Sequence, residues 1–222
     1  MALGFWQLDR ADEKRRKQQE IDAHQNAKPI SLEEALENQP GIQDFQRIYL
    51  HGHYLAKRSI YLVGKFHLGR PGYEVLTPFK LDSRNQIVIL SRGWTPLPTD
   101  PKSLPELKTP TGELHLIGTV HIPHGRSFFI DEPIREGLWP LRLHNLNMEK
   151  INRLFEPAVF PYVLRLDEAM PGVLLRYWPV PKLNPERSTS YAIQWFSMAF
   201  LVLLVPLVNS ARVRKFFHSR RK

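Results

Sequence analysis

The chain has 222 residues, 42% of them hydrophobic and 11% aromatic, which is enough apolar mass for a buried core and too much for a disordered chain. Its formal net charge is +9, but Arg212, Arg214, Lys215, Arg220, Arg221 and Lys222 crowd the last eleven positions, so the surplus lies in a tail and not on a face that nucleic acid could dock against. The sequence contains no cysteine, which excludes disulfides, thiolate metal sites and thiol nucleophiles within it.

In chain order, residues 1–8 (Met1 to Leu8) are apolar and read as the outer end of a membrane helix that begins upstream. Residues 9–187 form the main domain. Asp9 to Gln25 carries many charges and no proline or glycine, the pattern of a solvated helix. Ser31 followed by Glu34 forms a capping box for a helix to about Asn38, and Pro40-Gly41 stops it. The period then changes to two. Arg47–Tyr54 and Ser59–Phe66 are successive strand candidates, most simply an antiparallel pair, and Tyr73–Lys80 and the short apolar run Gln86–Ser91 follow. Pro96 to Pro110 holds five prolines and reads as an irregular loop. Glu113–Ile122, Leu138–Leu143, a helix over Asn147–Phe155, Pro161–Leu166 and Val173–Trp178 complete the domain. Seven or eight short strands predict an α+β fold, mainly antiparallel sheet arranged as a sandwich or a small barrel.

Residues 188–211 carry no charge, and at about 1.5 Å rise per residue they are long enough to cross the hydrocarbon core of a bilayer as a C-terminal transmembrane helix. Tyr191 and Trp195 fall at the start of the span, where aromatic rings settle at the lipid boundary, and Pro206 is expected in its last turn. The basic tail, residues 212–222, should stay on the cytoplasmic or matrix side. The domain then faces the periplasm of a bacterial inner membrane, or the intermembrane space in the mitochondrial alternative.

Four stretches together resemble the Surfeit locus protein 1 family of cytochrome c oxidase assembly factors. They are Leu3-Gly-Phe-Trp-Gln-Leu-Asp-Arg10, Ser91-Arg-Gly-Trp-Thr-Pro96, Pro161-Tyr-Val-Leu-Arg-Leu-Asp167 and Pro185-Glu-Arg-Ser-Thr-Ser-Tyr-Ala-Ile-Gln-Trp-Phe196. The resemblance implies two membrane helices with the domain between them on the outer face. It implies a non-enzymatic role in maturing the haem–copper oxidase, with the oxidase catalytic subunit or an assembly intermediate as partner, membrane lipid around the anchor and transient contact with haem a. One residue departs from the family pattern: Ser188 stands three positions before Tyr191-Ala192, where the family commonly has a histidine proposed to contact haem. A hydroxyl is a poor axial ligand beside an imidazole. The expected cofactor-binding residues are Ser188, Tyr191, Trp195 and Arg92.

The same residues have structural readings. Gly4 and Gly93 suit positions where packing or backbone geometry excludes a side chain, and Trp6 and Trp94 suit core or interface anchors. Arg92 suits a structural salt bridge or a haem propionate. His51 and His53 alternate on one strand face and His121 and His124 lie close together, but a metal site needs a third ligand, so none is assigned. Two rival functions remain, a strict haem a carrier and an anchored metal-dependent enzyme. No phosphate-cradling loop, Gly-x-Ser-x-Gly or His-Glu-x-x-His motif is present.

Overall fold

The computed structural model describes residues 2–38, 41–100, 103–122, 134, 137–179 and 182–219, with side chains through 206. It divides into two compact units, residues 23–179 and the pair of segments 1–22 and 180–222.

In the first unit the strands are β1 (Ile30–Ser31), β2 (Arg47–Tyr54), β3 (Ile60–His67), β4 (Arg70–Leu81), β5 (Ile87–Pro96), β6 (Leu114–His121), β7 (Leu141–Leu143) and β8 (Val159–Leu166). They form one sheet in the order β1-β2-β6-β8-β5-β4-β3-β7, and β2 also pairs with β4. That extra pairing closes β2, β6, β8, β5 and β4 into a small barrel, and β3 with β7 extends the sheet beyond β4. Most ladders are antiparallel, while β1–β2, β3–β7 and β5–β8 run parallel.

The barrel interior is apolar: Ile48, Leu50, Phe79, Val88, Leu90, Leu116 and Leu164 are all essentially inaccessible. Burying each such side chain contributes about 1.5–3 kcal/mol. Helix α2 (Leu32–Glu37) adds Leu32 and Ala35 to this cluster, and its N-cap Ser31 accepts a hydrogen bond from the Glu34 amide at 3.1 Å, as the capping box predicts. A second cluster on the outer surface packs Ile60, Ile87 and Ile89 under Ile151 and Phe155, in and just beyond α3 (Met148–Asn152). β5 is therefore buried on both faces, which explains why its sequence is a continuous Ile/Val/Leu run without alternation.

Three expectations change. β2 and β3 do not form a hairpin: a 3-10 turn at Ala56–Arg58 intervenes, and the Leu55 amide is captured by Pro78 of β4 at 2.8 Å, so both strands pair with β4 instead. Val173–Trp178 is not a strand. It touches β5 through one bridge, Trp94 with Leu175, beside Gly93, where a Cβ would lie 2.6 Å from the Leu175 carbonyl oxygen. β5 itself runs on through the Arg-Gly-Trp motif to Pro96.

In the second unit, α1 (Ala2–Asn26, whose last residues belong to the first unit) packs against α4 (Pro185–Ser219). Within α4, Pro185–Pro206 is long and apolar enough to cross a membrane, and only 11% of its most apolar window is buried. Val202 is 72% exposed and Phe200 63%, so this helix lacks the protein cover of a soluble core helix and fits a membrane anchor. Pro206 closes this span, as expected, while the helical backbone of α4 continues past it to Ser219.

Candidate functional site at the paired helices

Small residues let the two helices approach. Gly4 and Ala11 are buried on α1, and Ser188 and Ala192 are buried on α4. A Cβ built on Gly4 would fall 2.7 Å from the ring of Phe196, and Phe5 meets the same ring edge-on at 5.2 Å. This is how helices pack where no hydrophobic gain is available between them, by close van der Waals contact across small side chains. Polar bonds extend the contact: Lys14 Nζ donates to Ser188 Oγ at 3.0 Å, Arg15 donates to Thr189 Oγ1 at 3.1 Å, and the Leu183 amide donates to Gln18 Oε1 at 3.0 Å.

Beside these contacts opens a cleft of about 350 Å³ lined by Trp6, Gln7, Arg10, Glu13, Lys14, Lys17, Leu183 and Ser188. Trp6, Arg10, Lys14 and Lys17 recur at helical spacing, so one stripe of α1 supplies an aromatic ring and three cations. Arg10 stacks over Trp6 at 5.9 Å and pairs with Glu13 at 2.8 Å, and that hydrogen bond and charge hold the Glu13 carboxyl below the usual carboxylate range. The cleft combines an apolar wall with positive charge, which suits an amphipathic anion.

The expected site residues are divided between the two units. Ser188 lines the cleft, but it is 4% exposed and its hydroxyl accepts from Lys14, so it serves as an anchor for that ammonium. Tyr191 and Trp195 lie one and two turns further along α4, about 40% exposed, with the Arg187 guanidinium 5.9 Å from the Tyr191 ring. Trp6 is 52% exposed and lines the cleft rather than a core, whereas Trp94 is buried as expected.

Arg92 belongs to the barrel unit and is 1% exposed. Its guanidinium donates to Gly172 O at 2.5 Å, Thr109 Oγ1 at 2.8 Å and Lys108 O at 3.0 Å, so it grips two loop carbonyls and a hydroxyl in place of the expected salt bridge. Burial pulls its pKa down from the usual arginine value. A second buried polar group in this unit centres on Glu74, which accepts from Ser91 Oγ (2.5 Å), Tyr177 OH (2.9 Å) and Trp178 Nε1 (3.2 Å). Burial, reinforced by the carboxylate beside it, pushes the Tyr177 phenol far up. Arg165 lies 5.1 Å over the Trp178 ring. Glu74 has its oxygens engaged by the fold, which fits a structural role in holding residues 177 and 178 to the sheet.

From sequence alone, Arg10, Lys14 and Lys17 belong to a solvated helix face. Their spacing with Trp6 was the available signal, and the many intervening charges hid it.

The SURF1 family model matches residues 1–200. A SURF1-like protein of Rickettsia bellii is 25% identical over 213 residues, covering 91% of this chain and 83% of its own length. One from Rickettsia prowazekii is 26% identical over 218 residues, covering 93% and 83%. A SURF1-like protein of Mycobacterium tuberculosis is 25% identical over 203 residues, covering 90% and 73%. A match of this extent, joined to the barrel and the apolar C-terminal helix, makes the chain a member of the SURF1 family.

Proposed function

We propose that this protein is a non-enzymatic, membrane-anchored assembly factor for a haem–copper oxidase, with its barrel unit on the outer face of a bacterial inner membrane and haem a as transient cargo. The observation that carries this reading is the cleft at the start of the membrane helix, where Trp6 and Leu183 lie beside Arg10, Lys14 and Lys17. Haem a is a flat apolar ring with two carboxylates, and it moves within the membrane boundary layer. The cleft is too small to enclose that ring but suits its carboxylate edge, since lysine and arginine are the donors for such groups. The iron finds no partner in Ser188, a buried hydroxyl already bonded to Lys14. The expected contact is therefore with the propionates, and it is brief, as a delivery step needs. This favours an assembly role over tight storage, and tight carriage is the second reading.

Deletion of the gene should lower haem a content and oxidase activity several-fold and leave haem b enzymes intact. Complementation with a Lys14→Glu/Lys17→Glu double variant that reaches the membrane in normal amount should fail to restore either. Normal oxidase in the deletion strain would reject the assembly role, and full rescue by the double variant would reject the cleft. A stoichiometric Soret band on the detergent-purified chain would favour the carrier reading.

A further inference from the structure

The outward face of β2 carries Tyr49, His51 and His53 at alternate positions, and the structure brings to it partners that lie far away in sequence. His115 of β6 is the cross-strand partner of His51, and the two imidazoles stack at 4.4 Å with 25° between their planes. Asp82 follows the end of β4, and its amide donates to the His51 carbonyl at 3.1 Å, which fixes the carboxylate beside the two histidines. One Asp82 oxygen lies 3.5 Å from His51 Nδ1 and the other 3.4 Å from His53 Nδ1. Glu113, just before β6, completes the group: ligand atoms of His51, Asp82 and Glu113 all lie within 4.8 Å of one another.

We infer that His51, Asp82 and Glu113 form a binding site for a divalent transition-metal ion of the Zn²⁺ class. Two liganding atoms on a tetrahedral Zn²⁺ with bonds of about 2.1 Å stand about 3.4 Å apart, close to the 3.5 Å His51–Asp82 separation already present. Glu113 closes the remaining gap by side-chain rotation, because it sits on an exposed strand lead-in. One imidazole with two carboxylates selects a borderline ion over Mg²⁺, which prefers oxygen and keeps its water. Supporting contacts surround the ligands. His53 Nδ1 lies beside the second Asp82 oxygen, and His115, whose Nδ1 is hydrogen-bonded to the Tyr49 hydroxyl, stacks on His51. The fourth coordination position faces solvent, so a small ligand or a partner side chain can complete it.

The ion would tie β2 to the end of β4 and the start of β6, so it binds the folded chain and should raise its melting temperature. The test is titration of the full tag-free chain in detergent with ZnCl₂ by calorimetry, with MgCl₂ as the comparison. One Zn²⁺ per chain is expected, with no saturable Mg²⁺ uptake. His51→Gln and Asp82→Asn should each weaken Zn²⁺ at least about tenfold and abolish the Zn²⁺-induced rise in melting temperature. His67→Gln, a change to a ring lying 5.5 Å from Trp94, should alter neither. These ligands are part-exposed, so their replacement should leave the metal-free melting temperature in place. Absence of saturable Zn²⁺ binding by the wild-type chain, or binding that persists in both His51→Gln and Asp82→Asn, would overturn the site.

Discussion

Gly52 stands directly against the backbone of Lys80: a Cβ built on it would lie 2.0 Å from the Lys80 carbonyl oxygen. At this residue β2 pairs with Leu114 of β6 on one side and Leu81 of β4 on the other, so Gly52 is the corner where the barrel closes. A strand turning a barrel corner needs this close backbone approach, and no other residue type permits it. Gly52→Ala must push β4 away and break closure pairs, so it should destabilise the chain by about 2–4 kcal/mol, at the upper end of single substitutions. Gly118→Ala, whose new Cβ would lie 3.1 Å from the Leu164 Cβ, should cost less because that contact is relieved by a shift of a few tenths of an ångström, against the far deeper overlap at Gly52. Thermal unfolding of both variants in the same detergent checks the order. Equal melting temperatures would show that closure does not depend on Gly52.

Alkaline stability should report on Tyr54. Its ring is buried in the barrel cluster, and its hydroxyl donates to Pro171 O at 2.9 Å. Burial pushes the phenol up from 10.0 to about 12, and the nearby Arg92 guanidinium offsets part of that rise. A raised phenol pKa means that the folded chain holds its proton where the unfolded chain has released it. The contribution is therefore complete below pH 10.0 and is lost as the pH rises through about 12. A shift of this size corresponds to about 2–3 kcal/mol. Tyr54→Phe should cost about 1 kcal/mol at neutral pH through the lost hydrogen bond and should flatten the fall in stability between those two values. Unfolding measured as a function of pH, with phenolate absorbance followed in parallel, checks it. An unchanged alkaline limb in Tyr54→Phe would show that another group controls it.

Local chemistry was legible in the sequence and distant pairing was not. Ser31 and Glu34 announce their cap because both partners lie within one helical turn. The run Ile87–Leu90 announces a strand buried on both faces because nothing polar interrupts it. The expected Arg47–Phe66 hairpin fails because adjacency in sequence says nothing about Pro78, which captures the end of β2 from a later strand. The candidate sites divide in the same way. Alternation put His51 and His53 on one face, yet their carboxylate partners Asp82 and Glu113 arrive by barrel closure, which leaves no periodic trace. Gly4 was legible as a position of close packing, and Phe196 as its neighbour was not, since that contact joins opposite ends of the chain.

Arg92 separates a structural from a ligand-binding role. Its three hydrogen bonds to Gly172, Thr109 and Lys108 tie the segment before β6 and the segment after β8 to β5. The planar fork makes this possible, because donors on Nε, Nη1 and Nη2 point in three fixed directions. Lysine offers one flexible ammonium at the end of its stem and cannot reach all three acceptors, so Arg92→Lys leaves buried carbonyls without donors. The expected loss is about 2–4 kcal/mol, since each unsatisfied buried group costs about 1–3 kcal/mol. Thr109→Val removes a single acceptor and should cost about 1 kcal/mol. If Arg92 acts only through these bonds, haem a content in complemented cells should follow the amount of folded protein in both variants, and raising expression of Arg92→Lys should restore it. If Arg92 instead met a propionate, Arg92→Lys would lower haem a at equal protein level while Thr109→Val would not. At 1% exposure the guanidinium has no free face to offer a ligand, so the first outcome is the one expected.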